Sequence, residues 1–293
     1  MKKLKLLILI LGVFVGQQVI AQTNPVFKLT KENSHFYFDT TLNGAQTKVM
    51  LESGVSALFM SNSFYEAHKD SLQLEVKDSD LKIRFLNGFY HVKYAADASL
   101  RLGDALFTGP VNILQEDIDR VIIPIQKLRH PSDSSSIVRM DLNALTLSVC
   151  KRESLDGMIS GADAFDMTYN KWGMPVVATS LSIKSGKYDI RMEGDFIIDM
   201  GNGSLLYLNN TREEVKKMLK GVKLQVARNL KGEYVSKGLI ADQLTICNRN
   251  YKGVSVAVID KIKSLHRSGF LGLKFFTMPV IFDFDNNKMY LLR

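Results

Sequence analysis

Alternating apolar and polar positions dominate the chain and predict a protein built mostly of β-strands. Two alternating runs between residues 83 and 102 flank Asn87 and Gly88, a dipeptide that favours a tight hairpin turn. Lys231 and Gly232 occupy the equivalent place in the second half of the chain. The pattern therefore predicts a long hairpin in each half.

Helical signals are few. Ser63 with Glu66, and Thr211 with Glu214, have the spacing of a capping box, in which a hydroxyl and a carboxylate satisfy free amides of the first helical turn. We predict one short helix from each start, the second ending before Gly221. The predicted fold class is all-β.

Two segments, residues 49–60 and 196–208, carry nearly the same pattern. Each ends an apolar run with one acid, Glu52 or Asp199, and continues with a glycine, a serine and a second apolar run. Residues 84–109 also align without a gap to residues 228–253, at a constant offset of 144 residues. This internal repeat predicts two similar lobes that each bring one carboxylate to a shared cleft.

The start of the chain has the pattern of a secretory signal peptide. Three early lysines precede a short apolar stretch, and small residues lie at a cleavage position after Ala21. We predict a signal peptide at residues 1–21, an N-terminal lobe at 22–175, a C-terminal lobe at 176–293, and a periplasmic or secreted protein. No cysteine stands directly after the cleavage position, and no later apolar run reaches transmembrane length, so no membrane anchor is expected.

Charge and cysteine content narrow the function classes. Removal of the three signal lysines lowers the formal net charge from +8 to +5, and lysines and arginines are not clustered with aromatic residues. Nucleic-acid binding is therefore not expected. Cys150 and Cys247 are the two cysteines, so one disulfide at most can form, and two buried thiols are the more common arrangement. The histidines lack ligand spacing, and we predict neither a metal nor an organic cofactor.

Three features together resemble the pepsin-like and retropepsin-like aspartic peptidases: the doubled acid-x-Gly motif, the hairpin after its first copy, and an apolar-apolar-Gly segment later in each half. We assign that last feature to residues 158–161 and to Phe270, Leu271 and Gly272. The resemblance covers nearly the whole mature chain. It implies a bilobed pepsin-like acid-protease fold, with two similar β-barrel-like lobes and an extended peptide bound in the cleft between them.

The resemblance also implies roles for individual residues. In this family two aspartates share one proton, and one acts as general base on a water while the other polarises the scissile carbonyl. The resemblance implies that Glu52 and Asp199 occupy these two catalytic positions. Supporting positions fall on Ser53, Gly54, Ser56, Gly201 and Ser204, and positions in the hairpin flap, which would contact the substrate, fall on Phe85, Asn87, Gly88, Phe89 and Tyr90.

The sequence departs from the family pattern at two positions. Glu52 is longer than aspartate by one methylene, and a displacement of roughly 1 Å costs about 10²-fold in rate where geometry is tight. Met200 stands where the family has a threonine or serine that ties the acid loops together, which removes one hydrogen bond worth about 1 kcal/mol. The predicted function is peptide binding with weak or lost peptidase activity. The alternative is an active aspartic endopeptidase that uses the Glu52/Asp199 pair.

The expected partner is a peptide or protein, bound as substrate or ligand. Because two complete lobes lie in one chain, we expect a monomer. The sequence leaves open the peptide specificity, the pH optimum and whether the two cysteines pair.

Overall fold

The computed structural model describes residues 24–33, 35–85, 88–228, 234–260 and 266–293. The predicted signal peptide, Asn87, Lys231 and Gly232 lie outside these ranges. Among the described residues no helix is long and apolar enough to cross a membrane.

Among the described residues, the first part of the chain contributes eleven strands, of which β2 to β11 form a ten-stranded sheet. They are β1 (Val26–Lys28), β2 (Thr30–Glu32), β3 (His35–Leu42), β4 (Ala45–Glu52), β5 (Leu58–Ser61), β6 (Lys77–Asp78), β7 (Lys82–Phe85), β8 (Gly88–Leu102), β9 (Ala105–Leu114), β10 (Val121–Pro124) and β11 (Leu128–Arg129). Helix α1 (Asn62–Leu72) follows β5.

The remaining strands form a thirteen-stranded sheet together with β1. They are β12 (Ile137–Asp141), β13 (Thr146–Cys150), β14 (Asp163–Tyr169), β15 (Pro175–Ser185), β16 (Tyr188–Ile198), β17 (Leu206–Asn209), β18 (Gln225–Arg228), β19 (Tyr234–Ile246), β20 (Arg249–Ile259), β21 (Gly269–Leu271), β22 (Val280–Asp283) and β23 (Lys288–Leu291). Two further α-helices, α2 (Leu155–Met158) and α3 (Glu213–Met218), are short, and single 3-10 turns occur at Ile125–Lys127, Arg152–Ser154 and Leu273–Phe275. The all-β, bilobed fold class is confirmed.

Equivalent strand pairings occur in both halves. The acid-bearing strand β4 pairs in parallel with β10, and its counterpart β16 pairs in parallel with β21. In the first half the next strand, β5, runs antiparallel to β10 and parallel to β9. In the second half its counterpart β17 runs antiparallel to β21 and parallel to β20. Each acid strand therefore lies inside a sheet with its end fixed by main-chain hydrogen bonds, which is how two distant loops are held at defined positions.

The hairpin predicted around Asn87 and Gly88 is present. Strand β7 pairs antiparallel with β8, with Phe85 opposite Gly88 and Ile83 opposite Tyr90. In the second half β18 pairs with β19 in the same way. Alternation around a turn dipeptide was a sufficient signal because it depends only on neighbouring residues.

Both predicted capping boxes are wrong in detail. The first helix is capped by Ser61, whose extended backbone lets its hydroxyl accept the Phe64 amide at 3.2 Å, whereas Ser63 lies inside the helix and donates to Asp117. The second helix begins at Glu213, and the Thr211 hydroxyl donates to Asn209 Oδ1 at 2.8 Å. Another side chain interferes in both cases: Ser61 caps the first helix, and Asn209 engages the Thr211 hydroxyl before the second.

The apolar-apolar-Gly assignment is correct in the second half and wrong in the first. Residues 158–161 belong to the end of α2 and the turn after it. The strand beside the first acid is β10, with Val121 opposite Val49 and Pro124 opposite Glu52. Because this strand ends in proline, the apolar-apolar-Gly pattern does not mark it.

The two halves share strands of one sheet. The C-terminal hairpin β22–β23 lies between β12 and β14, pairing with one on each side. Residues 170–174 join β14 to β15, and these two strands also pair. Main-chain hydrogen bonds of the final hairpin therefore fasten the middle of the chain to its end.

Candidate active site

Glu52 and Asp199 lie at equivalent points of the fold. Glu52 is the last residue of β4 and begins the first acid loop, residues 52–57, which leads to β5. Asp199 directly follows β16 and begins the second acid loop, residues 199–205, which leads to β17. The Asp199 amide donates to Leu271 O at 2.9 Å, so the neighbouring strand β21 fixes where the second acid loop begins. The structure brings the two acids together although they are 147 residues apart in the sequence.

One oxygen of Glu52 accepts three main-chain amides. Its Oε1 accepts from Ser53 N at 2.8 Å, Gly54 N at 2.7 Å and Gly201 N at 3.0 Å. The first two amides belong to its own loop and the third to the loop of the opposite acid. Main-chain groups of both loops therefore hold the Glu52 carboxylate in place.

Asp199 is placed to hold the proton. A methyl group on Gly54 would lie 2.8 Å from Asp199 Oδ1 and 3.1 Å from Glu52 Oε1, so both carboxyls meet beside this glycine. The pKa of Asp199 is raised well above its ordinary value, first by lost hydration, then by the charge of Glu52 and a hydrogen bond with it. The residue as a whole keeps partial solvent exposure. Asp199 is therefore the member of the pair that is suited to carry a proton.

Gly201 makes room for the longer acid. A methyl group at Gly201 would lie 1.8 Å from Glu52 Oε2 and 2.8 Å from its carboxyl carbon. The Glu52 carboxylate thus rests directly on the backbone of the opposite loop. Side-chain atoms at position 201 would displace it.

Ser53 ties the two acid loops together. Its hydroxyl donates to Ile198 O at 2.8 Å and accepts from Met200 N at 3.1 Å, and Ser53 is fully buried. Met200 is also fully buried, but its side chain packs in the hydrophobic core. One hydroxyl tie is present, and position 200 offers no second one.

The other two predicted supporting serines, Ser56 and Ser204, make different contacts. The Ser204 hydroxyl donates to Asn202 Oδ1 at 2.8 Å, and the same oxygen accepts Ser204 N at 3.0 Å. Ser56 lies beside Gly173, where an added methyl group would be 3.4 Å from Ser56 Cβ. Among the described residues no hydrogen bond joins either hydroxyl to Glu52 or Asp199.

Asn202 and Gly272 support the second acid loop. Asn202 N donates to Asp199 O at 3.2 Å, and Leu273 N donates to Asn202 O at 2.8 Å. A methyl group on Gly272 would lie 2.4 Å from both Asn202 O and Ser204 O, so only glycine fits there. Sequence reasoning missed Asn202, although its place before a glycine and a serine is typical of a side chain that caps its own turn.

Gln126 supports the first acid loop from a distance. Its buried Nε2 donates to Val55 O at 2.6 Å and lies 3.4 Å from Ser53 O and 3.3 Å from Gly173 O. Gly173 belongs to the 170–174 loop, whose shape is fixed by Asn170 Oδ1 accepting two amides of the same loop. Sequence analysis gave no signal for Gln126, because the contacts join separate segments.

The hairpin presents its two faces differently. Tyr90 and Ile83 pack against an apolar cluster that includes Phe59 and Ile122, close to the first acid loop at Val55. Phe89 is on the other face and is 63% exposed.

Gly88 has open space around it, at a φ of +153°. Of the predicted flap residues, Tyr90 therefore faces the acid side, while Asn87 and the side chain of Phe85 lie outside the described residues.

The other candidate chemistry lies elsewhere. Open pockets of about 390 Å³ and 480 Å³ occur in the second half of the chain, and neither acid lines them. Cys150 and Cys247 are buried free thiols, and burial raises the pKa of Cys247 to about 12. Within the described ranges, no group of three or more histidine, cysteine or acidic side chains is arranged to hold a metal ion.

Comparison with known proteins places the fold. No family model matches the chain, and no curated protein matches it. Among solved structures, the aspartic proteinase from Irpex lacteus matches over 92% of this chain and 97% of its own, with a TM-score of 0.58 and 12% sequence identity. At this identity the match concerns the fold alone. The chain therefore has the pepsin-like, bilobed fold of an aspartic proteinase.

Proposed function

We propose that this protein is exported, binds an extended peptide between its lobes and hydrolyses it weakly as an aspartic-type endopeptidase. The observation that carries this proposal is the Glu52/Asp199 pair, in which one carboxyl accepts three amides and the other is held protonated. Acid–base hydrolysis of an amide requires one group that takes a proton from water and another that donates a proton to the carbonyl.

In the proposed reaction both acids transfer protons. Glu52 takes a proton from a water while the oxygen of that water attacks the scissile carbonyl carbon, and Asp199 gives its proton to the carbonyl oxygen. Glu52 then gives the proton it took to the nitrogen of the tetrahedral intermediate, the C–N bond breaks, and a hydroxyl of the intermediate returns a proton to Asp199 as the carboxylic acid product forms. Because Glu52 lies against Gly201 and differs in reach from aspartate, the expected rate is low.

Apolar surfaces near both acid loops support binding of apolar side chains. On one side Tyr90, Val55 and Ile122 contribute to a cluster with Phe59. On the other side Met174, Tyr207 and Phe270 surround Ile197, two residues before Asp199. We expect cleavage between apolar residues in an otherwise extended peptide, held by strand-like main-chain bonds.

The first test is cleavage of a diverse peptide library by the protein beginning at Gln22, from pH 3 to 8. Product should form at acidic pH and fall as pH rises through the raised pKa of Asp199, because the carbonyl then loses its proton donor. Asp199→Asn should abolish cleavage. Asp39→Asn, at an exposed aspartate on β3, is the matched control and should cleave like the natural protein.

Peptide binding without cleavage is the second candidate. It is favoured by the three amides on Glu52 Oε1, which leave that oxygen little capacity to hold a reacting water. Saturable binding of labelled library peptides with no product at any pH would favour this candidate and contradict the peptidase proposal.

A further inference from the structure

The two departures from the aspartic-peptidase pattern meet at one set of hydrogen bonds. The Ser53 hydroxyl accepts Met200 N and donates to Ile198 O. The two acid loops have equivalent places in the fold, so a hydroxyl at position 200 would accept Ser53 N in return. Met200 has a thioether that is fully buried in the core, and it provides no such acceptor.

Glu52 takes over this missing role. Ser53 N, the amide that position 200 would have satisfied, donates to Glu52 Oε1 at 2.8 Å. The same oxygen accepts Gly201 N from the opposite loop at 3.0 Å, which is a bond between the lobes. Aspartate is shorter by about 1.5 Å, one carbon–carbon bond, and would leave Gly201 N out of reach.

We propose that Glu52 and Met200 are a compensating pair, in which the longer acid supplies from the first lobe the tie that a hydroxyl at position 200 would supply from the second. Glu52 is then a positioning residue for the contact between the loops as well as the general base of the proposed function. Only the second role depends on the proposed function. Restoring aspartate alone should therefore damage the site and not repair it.

A double-mutant cycle in urea unfolding tests the pairing. The variants are Glu52→Asp, Met200→Thr and the double change. We expect each single change to raise the equilibrium constant for unfolding. In the double variant this constant should be at least about 5-fold smaller than the product of the two single effects predicts, a factor that corresponds to one hydrogen bond. Hydrogen exchange at the Gly201 amide should quicken in Glu52→Asp.

Matched controls separate coupling from general damage. Met289→Thr alters another fully buried methionine, on β23. Its effect on the equilibrium constant for unfolding and that of Glu52→Asp should be independent, so the two factors should multiply. Glu52→Gln keeps the length and an acceptor oxygen, so it should keep stability and Gly201 protection while losing cleavage. Independent effects of Glu52→Asp and Met200→Thr, or full stability of Glu52→Asp, would overturn the pairing whatever the peptide assay shows.

Discussion

Gly201 shows how the replacement of one acid constrains its neighbours. The Glu52 carboxylate occupies the space beside the Gly201 backbone, accepting its amide through Oε1 and contacting its Cα region through Oε2. Main-chain donors fix the carboxylate more firmly than side chains would, because they have no rotamers to lose. The position of the Glu52 carboxylate therefore depends on a residue that has no side chain.

Gly201→Ala should remove this arrangement. The new methyl group would lie 1.8 Å from Glu52 Oε2, so the carboxylate must leave its amide donors or the loop must shift. We expect the free energy of unfolding to fall by about 2 kcal/mol and any cleavage to disappear. Urea unfolding and the peptide assay measure both effects.

Gly157→Ala is the control for that substitution. Gly157 lies in α2 with no atom within 4 Å of an added methyl group, so stability should stay the same or rise slightly. Equal stability of Gly201→Ala and the natural protein would show that the Glu52 carboxylate does not rest on this glycine.

Among the elements, the short turn after β10 links parts of the molecule that no strand pairing joins. Gln126 in this turn reaches the first acid loop and the 170–174 loop through one amide group. The exposed Trp172 belongs to that loop, with Lys171 Nζ 4.4 Å from its ring centre. The turn therefore holds a surface aromatic residue beside the acid loop.

Gln126→Leu should weaken this link. The change leaves the carbonyls of Ser53, which is buried, and Val55, which is partly buried, without their donor, which costs about 1–2 kcal/mol of stability. The cost stays at this modest size because Gln126 Oε1 has no partner among the described residues, and leucine removes that unsatisfied atom.

Thermal unfolding compares Gln126→Leu with Gln46→Leu, which changes an exposed glutamine on β4. We expect a clear loss in melting temperature for the first variant and almost none for the second. Equal melting temperatures would mean that the amide of Gln126 does not support the loop.

Considered as a whole, the molecule is fastened by its last hairpin. Arg152, just before α2, donates through Nη2 to Asp283 at 2.9 Å and to Asp285 at 2.6 Å, and Asp283 is fully buried. Ser136 N also donates to Asp285. These bonds join residues more than 130 positions apart and lie where the β22–β23 hairpin enters between β12 and β14.

Arg152→Ala should destabilise the whole fold. It leaves the buried Asp283 charge without its cation, and we expect a loss of about 3 kcal/mol, the lower end of the usual effect because Arg152 is 38% exposed. Arg191→Ala removes an ion pair with Asp189 that is largely exposed, so its cost should be about 0.5 kcal/mol or less. Similar unfolding midpoints in urea for the two variants would contradict a structural role for the Arg152 cluster.

Local patterns in the sequence determined much of this architecture. Apolar alternation and the Asn87-Gly88 turn predicted the long hairpin, and apolar runs ending in an acid and a glycine indicated both acid loops. These features depend on residues close together in the chain, where periodicity and turn preferences act directly. The strand β10 was missed because Pro124 stands where glycine was expected.

Tertiary structure alone decided how the site is held. That Glu52 Oε1 reaches Gly201 N, that Gln126 supports the first acid loop, and that Arg152 pairs with Asp283 all depend on side-chain directions across distant segments. No periodicity encodes such contacts, since each requires two separately folded segments to arrive at hydrogen-bonding distance. The sequence by itself determined which two acids meet, and the packing of the two halves decided how the Glu52 carboxylate is held, because its amide donors come from both loops.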